Sequence, residues 1–353
     1  MSSVVYIDGR PIGQGHAPYI VAEVSANHNG NLQVALDHIS MAKRCGADAV
    51  KLQTYEAHTI TMDCPQDDFF IHEGPWAGES LYALYQKAQT PFAWHKPLFD
   101  HARKEGITVF STPFDETAVD LLEDLNAPAY KIASFELIDL PLIKYVASTG
   151  KPMVMSTGMA NQDEILEAVT CARDAGCQQL ILLHCISGYP TPAEQANLRT
   201  LTDLASRYGT VPGLSDHTLG TVVSVAAVAL GACFIEKHFI LDPALGGPDA
   251  AFSITPPQLT QLCQDARTAW QAVGQVNYQT LPAEQQNLRF RRSIYISQDV
   301  KAGDVLTTAN IRRVRPGFGL APKYFEQVLG KTIKTAAKAG TPLTLALLEN
   351  NDI

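Results

Sequence analysis

Two histidines, His217 and His238, each close a short apolar run. His217 stands in Gly213-Leu214-Ser215-Asp216-His217-Thr218 and His238 in Phe234-Ile235-Glu236-Lys237-His238-Phe239, with a stretch of small helix-forming residues between them. Apolar runs of this length read as buried strands, and strand–helix–strand is the βαβ unit, whose two parallel strands end side by side. Two imidazoles would then face one space, with Ser215, Glu236 and Lys237 close by. That makes two nitrogen ligands for a divalent ion, most coordination positions left open for catalysis, and anion-holding groups around them. Imidazole donors favour Mn²⁺ over Mg²⁺, with Co²⁺ or Zn²⁺ also suited; Mn²⁺ is the expected ion, Mg²⁺ or Co²⁺ the alternatives. Two unrelated strand-end histidines would look the same, and the rest of the chain decides between the readings.

The elements that must position them alternate strictly. Strands are predicted at residues 19–25, 49–53, 108–111, 129–132, 153–156, 180–184, 211–214 and 233–237. Helices are predicted at 31–45, 95–105, 116–125, 140–148, 162–175, 193–207, 222–230 and 256–273. Strand–helix alternation means a parallel sheet covered by helices, and eight units favour closure into a (β/α)₈ TIM barrel over an open doubly wound sheet. No GxGxxG follows the first strand, which weakens the dinucleotide-binding alternative. Residues 1–18 read as a cap with a hairpin across Asp8-Gly9. Residues 54–92 interrupt the rhythm with Tyr55, Phe69, Phe70, Trp76, Tyr82 and Tyr85, a lid or specificity element or else a packed surface subdomain. The barrel domain, with its N-terminal cap, is expected over 1–275, a polar linker over 276–289, and a small β-rich domain over 290–353.

In such a barrel chemistry sits at the C-terminal ends of the strands. In order, those ends carry Glu23 with Asn27 and His28; Lys51 and Gln53; Ser111 and Thr112; Lys131, Ser134 and Glu136; Ser156 and Thr157; Ser187 and Tyr189; Ser215 and His217; Lys237 and His238, then Asp249. Singly, each has a plain explanation: a helix cap, a snorkelling lysine, a structural ion pair. Polar groups at all eight ends would be costly to desolvate without a ligand. Lys51 and Lys131 with Thr112, Ser134, Ser156 and Ser215 form a cradle for a phosphate and a carboxylate. Glu23 and Glu136 are candidate general acid–base groups. Metal, anion cradle and carboxylate together suggest phosphoenolpyruvate meeting a carbonyl acceptor.

Composition bounds the reading. The 353 residues are 46% hydrophobic and 18% charged, enough for a large core. The net charge of −9 argues against nucleic-acid binding. Seven cysteines, odd in number and without a CxxC pair, fit a reduced cytoplasmic protein. The first residues show no signal-peptide pattern, and no apolar run is long enough to cross a bilayer, so no membrane association is expected.

These motifs resemble the sialic acid synthase family. The resemblance rests on Glu23-Val24-Ser25-Ala26-Asn27-His28-Asn29-Gly30, Lys51-Leu52-Gln53-Thr54, Ser111-Thr112-Pro113-Phe114, Tyr130-Lys131-Ile132-Ala133-Ser134, Ser156-Thr157-Gly158-Met159 and the two histidine motifs. Phe290-Arg291-Arg292-Ser293 with Arg315-Pro316-Gly317 looks like the family's C-terminal antifreeze-like (SAF) domain. The resemblance implies metal-dependent condensation of phosphoenolpyruvate with an N-acetylated amino sugar, releasing phosphate by C–O cleavage and giving a nine-carbon nonulosonic acid. It implies Glu23 as the catalytic carboxylate, and Lys51, Thr112, Lys131, Ser134, Ser156 and Ser215 as phosphoenolpyruvate-binding groups. Gln53, Tyr189 and Asp249 match acceptor-sugar positions. Ser187 stands where some members carry Asn. Arg315 matches an arginine that the SAF domain supplies to a partner subunit, which implies a domain-swapped homodimer.

Within the family, Asp68-Phe69-Phe70, Gly74-Pro75-Trp76, Leu81-Tyr82-Ala83-Leu84-Tyr85 and Arg315-Pro316-Gly317-Phe318-Gly319-Leu320 look like the pseudaminic acid synthase branch, whose acceptor is 2,4-diacetamido-2,4,6-trideoxy-L-altrose. The run from His184-Cys185-Ile186-Ser187 to Pro192 is closer to the legionaminic and N-acetylneuraminic branches. The rival readings are a metal-dependent aldolase, a heptulosonate-type synthase or a Schiff-base aldolase on the same barrel, and a carbohydrate- or ice-binding protein.

Overall fold

The computed structural model describes residues 4–74 and 76–350; residues 1–3 and 351–353, and Pro75 of the Gly74-Pro75-Trp76 motif, lie outside the described residues. The chain divides into two units, Met1–Gly274 and Gln275–Ile353. The first opens on a hairpin of β1 (Val5–Ile7) and β2 (Arg10–Ile12). Its turn residues Asp8 and Gly9 have φ of 50° and 75°, the left-handed pair a tight hairpin turn needs.

Eight parallel strands then close a barrel: β3 (Tyr19–Glu23), β4 (Ala49–Thr54), β5 (Thr108–Pro113), β6 (Tyr130–Ile132), β7 (Met153–Ser156), β8 (Leu180–Cys185), β9 (Val211–Asp216) and β10 (Phe234–His238), with β10 pairing β3. Almost every strand residue is buried, because helices cover the outside and side chains fill the inside. The lower interior is packed by Tyr19, Val21, Phe110, Val154, Leu183 and Phe234, and Val5, Ile7 and Ile12 of the hairpin join the same cluster and floor the barrel. Each fully buried side chain of this size contributes about 2 kcal/mol. Gly213 is glycine because a Cβ there would stand 2.4 Å from Leu183 Cδ2 and 2.7 Å from the Phe234 carbonyl oxygen.

The covering helices are α1 (Leu32–Cys45), α4 (Phe92–Glu105), α5 (Glu116–Asp124), α6 (Leu140–Ser148), α7 (Gln162–Asp174), α8 (Thr200–Tyr208), α9 (Val222–Ala229) and α10 (Pro256–Val273), with α2 (Ala57–Ile60) and α3 (Leu81–Ala88) inside the insertion. The helix expected over 193–207 is shorter. A 3₁₀ turn at Ala193–Gln195 precedes α8, and Asn197, at φ 43°, breaks the helical path between them. The stretch expected as a linker contains a 3₁₀ run, Pro282–Phe290, and groups with the second unit.

The second unit pairs β11 (Ser293–Ile296) with β12 (Ile311–Val314) and adds isolated bridges such as Val300 to Ala337 and Ile333 to Leu348. Its core includes Ile294, Ile296, Leu306, Val328, Ile333 and Leu343, and its α-helix among the described residues is the single turn α11 (Phe325–Val328). All seven cysteines are free. Among the described residues no helix is long and apolar enough to cross a membrane.

Candidate active site

Strand register places the site. Glu23, the last residue of β3, lies beside Lys51 on one neighbour and His238 on the other, so all three point to the barrel interior. Two residues back along β10, Glu236 also points inward, beside Ser215 of β9. Lys51 Nζ lies 2.7 Å from Glu23 Oε2 and donates to Thr112 Oγ1 at 3.1 Å. Lys131 Nζ is 3.3 Å from Glu236 Oε1, which also accepts from Ser215 Oγ at 3.0 Å. Gln53 Nε2 donates to Glu23 Oε1 at 3.3 Å. Two ammonium groups and two carboxylates are thus interleaved, all nearly inaccessible to water.

A second group caps this layer. Ser134 and Ser187 share a hydroxyl hydrogen bond of 2.8 Å, and the buried Ser156 hydroxyl has no partner. Gly158 makes the first contact possible: at φ 49°, a Cβ there would stand 2.3 Å from Ser134 Cβ and 2.9 Å from Ser187 Oγ. The imidazoles of His217 and His238 face each other with centroids 5.4 Å apart. Tyr189 packs on His217 at 4.5 Å, and Phe252 lies 5.0 Å from His238. Asp249 Oδ2 is 3.7 Å from His238 Nδ1 and accepts from the Ala26 amide at 3.3 Å. From the insertion, Tyr55 meets Tyr85 at 5.9 Å and Phe114 at 5.1 Å, both edge to face. The end of the insertion is tied to the β3 loop through Thr90 Oγ1 and His28 Nε2, 3.2 Å apart.

The charges divide unequally. Burial drives the Glu23 carboxyl up to about 7, against the pull of Lys51 and with the help of Glu236. Burial would raise Glu236 too, but Lys131, Lys51 and the Ser215 hydroxyl outweigh it and hold that carboxyl low. Burial first, then the nearby His217 and Lys51, holds His238 well below its usual range, so its ring is neutral. His217 Nδ1 lies 2.9 Å from the Ile186 carbonyl, which can only accept. In the neutral ring the proton therefore sits on Nδ1 and the lone pair on Nε2. Burial would lower His217, but Cys185 and the Ile186 carbonyl outweigh it and raise that imidazole, so a divalent ion would compete there with a second proton. His238 is neutral, with a buried Nδ1 that has no hydrogen bond. Together the two rings suit a divalent ion. No cluster of three or more His, Cys, Asp or Glu is gathered for a metal among the described residues, so such an ion would complete its sphere with water or substrate.

Glu136 opens a 3₁₀ turn after β6, its Oε2 buried without a partner, and burial lifts its carboxyl to about 7. It stands close enough to Tyr85 for its charge to raise that phenol further, after burial. A carboxyl raised from 4.5 to about 7 on folding contributes stability in full below pH 4.5 and loses it as pH rises through 7. Glu136→Gln is therefore expected to melt like the wild type near pH 5 and to be more stable by about 1–3 kcal/mol near pH 8, read by thermal denaturation at both values. Equal melting at pH 8 would remove Glu136 as the source.

Two strand-end expectations are corrected. Lys237 does not face the imidazoles. It lies on the opposite face of β10, fully buried, donating to Asp216 Oδ2 at 2.9 Å and the Thr218 carbonyl at 2.6 Å. Ser111 likewise points out of the barrel, bonded to Thr54 Oγ1 at 2.6 Å. Arg315 follows β12 in the second unit and is exposed there. Sequence reasoning placed Glu236 beside the imidazoles but not among the catalytic or substrate-binding residues, although its period-two spacing from His238 marks it as inward-facing. Phe252 ends a three-residue 3₁₀ turn, Ala250–Phe252, too short to leave a sequence signal.

Residues 38–278 match the NeuB family model and 291–349 the SAF domain model. The chain is 42% identical over 335 residues to the pseudaminic acid synthase of Helicobacter pylori, covering 95% of this chain and 98% of that protein. It is 38% identical to the N,N'-diacetyllegionaminic acid synthase of Campylobacter jejuni, covering 88% and 94%. Among solved structures, the N-acetylneuraminic acid synthetase of Leptospira borgpetersenii superposes with a TM-score of 0.73 at 29% identity, over 82% of this chain and 96% of that one.

Proposed function

The chain belongs to the NeuB family, and from that premise we propose that it is a pseudaminic acid synthase. It condenses phosphoenolpyruvate with 2,4-diacetamido-2,4,6-trideoxy-L-altrose and water, giving pseudaminic acid and phosphate. The observation that carries this reading is the juxtaposition of two buried lysines and several hydroxyls with a carboxyl near neutrality and two facing imidazoles.

The residues divide the work as follows. Lys51 and Lys131, with Thr112, Ser134, Ser156, Ser187 and Ser215, hold the phosphate and carboxylate of phosphoenolpyruvate, which fixes the enol carbon against the aldehyde. A divalent ion, Mn²⁺ by ligand preference, would be held by His217 and His238 and would polarise the aldehyde oxygen. The new C–C bond forms between the enol carbon and the aldehyde carbon. Water adds at the former enol-ether carbon, and the C–O bond to phosphate breaks. Glu23 takes the proton from that water; a carboxyl near 7 both accepts and returns protons at neutral pH. Gln53, Tyr189 and Asp249 orient the amino sugar, and Glu136 with Tyr55 and Tyr85 bounds its far side.

The same chemistry on the legionaminate or N-acetylneuraminate acceptor is the second reading, favoured by the run from His184 to Pro192. Incubation with phosphoenolpyruvate and each of the three amino sugars, with product mass measured, separates them. Phosphate release should require both substrates and be fastest with the trideoxy altrose. Turnover of pyruvate in place of phosphoenolpyruvate, or trapping by borohydride, would instead mean a Schiff-base aldolase.

We further propose a homodimer in which the SAF domain of one subunit serves the barrel of its partner. Residues 275–353 carry eleven Lys and Arg against six Asp and Glu, +5, in a chain of −9, which leaves −14 on residues 1–274. Opposite charges of this size favour docking of one unit type on the other. Arg315→Ala is expected to raise KM for the sugar about tenfold and to change KM for phosphoenolpyruvate much less. Equal effects on both would argue against an acceptor contact. Free cysteines throughout suit a cytoplasmic setting.

A further inference from the structure

The condensation gives Glu236 no task, yet it occupies the centre of the anion cradle. Its Oε1 takes Lys131 Nζ at 3.3 Å and Ser215 Oγ at 3.0 Å. Its Oε2 lies 3.8 Å from Lys51 Nζ and has no hydrogen bond of its own. Three groups assigned above to phosphoenolpyruvate are thus held by a carboxylate of the protein. We propose that Glu236 is an internal stand-in for the substrate's anionic group: a positioning residue that keeps Lys51, Lys131 and Ser215 in place between turnovers and weakens the hold on phosphate so that it leaves. The inference rests on the reading that these three groups hold phosphoenolpyruvate.

The charges facing Glu236 make the case. Lys131 and Lys51 attract it, Glu23 stands beyond Lys51, and His217 and the Cys185 thiol lie near. Two ammonium groups this deep, at nearly complete burial, would repel each other and be costly to desolvate with Glu23 alone as counter-charge. Lys237, the next residue along β10, is committed to Asp216 on the other face and cannot compensate. When phosphate enters, Glu236 becomes a fixed like charge beside it. A like charge a few ångströms away in a protein interior weakens binding strongly. The site therefore gives up phosphate affinity in return for an ordered cradle and fast release.

The test measures inorganic phosphate binding to the full-length protein by calorimetry, with and without a chelator so that any contribution of a metal is separated. Glu236→Gln should bind phosphate at least about tenfold more tightly than wild type. It should also show a lower KM for phosphoenolpyruvate, a lower kcat and stronger product inhibition by phosphate. Glu236→Asp, which keeps the charge, should bind phosphate within a few-fold of wild type. If Glu236→Gln is poorly folded, the rise in its melting temperature on adding phosphate should exceed that of wild type. Equal or weaker phosphate binding by Glu236→Gln, with a phosphate-induced melting shift no larger than wild type's, overturns the proposal. Absence of saturable phosphate binding to the wild type would overturn the cradle reading itself, and the stand-in role with it.

Discussion

Glu23→Gln is expected to lower kcat by about 10³-fold, while direct binding of phosphoenolpyruvate stays within a few-fold of wild type. The carboxyl is fully enclosed and lies 2.7 Å from Lys51. Burial brings it to about 7, so near neutral pH it exchanges its proton readily. Glutamine keeps the shape and the bond from Gln53, but it neither accepts nor returns a proton. Lys51 retains Thr112 and the neighbouring Glu236, so the cradle persists. The limb of the pH–rate profile near 7 should disappear in the variant. A loss of less than tenfold in kcat, with that limb intact, would remove Glu23 from the proton-transfer role.

His238→Ala is expected to weaken Mn²⁺ binding by about 10²-fold or more, since loss of a partner one shell further out already costs 10–100-fold. The ring is enclosed, neutral and without a hydrogen bond on Nδ1, so it has a lone pair and little else to do with it. Chelation should abolish turnover in the wild type, and added Mn²⁺ should restore it. In the variant, activity should return only at much higher Mn²⁺. Full turnover in the presence of chelator, or unchanged Mn²⁺ affinity in both His217→Ala and His238→Ala, would sink the two-imidazole site.

The barrel was legible because its strands are buried on both faces and therefore read as short apolar runs, while each helix keeps its 3.6-residue stripe. Strand ends were less legible: β9 and β10 run one or two residues past the expected ends, to Asp216 and His238. That matters at Lys237. Membership of the strand, not position at its end, decides that Glu236 and His238 face inward and Lys237 outward. The structure brings together Glu23, Lys51, Gln53 and Thr112, joins Lys131 to Ser215 through Glu236, pairs Ser134 with Ser187, and gathers Tyr189, His217, His238 and Asp249. Phe252 was illegible because its 3₁₀ turn, Ala250–Phe252, is a single turn too short to show a period. The break before α8 was hidden because Asn197 carries no helix-breaking signature as strong as Gly or Pro.

The floor laid by Val5, Ile7 and Ile12 has a consequence for traffic. With one end stopped, the barrel is a blind shaft, and everything enters and leaves by the same doorway. Along β10 the Glu236 level lies beneath the His238 level, nearer the floor. On the reading above, phosphoenolpyruvate must descend before the sugar settles over it, and phosphate, being lowest, is last out. The order of the queue is then set not by any gate at the mouth but by the packed lower interior and the hairpin of two three-residue strands beneath it.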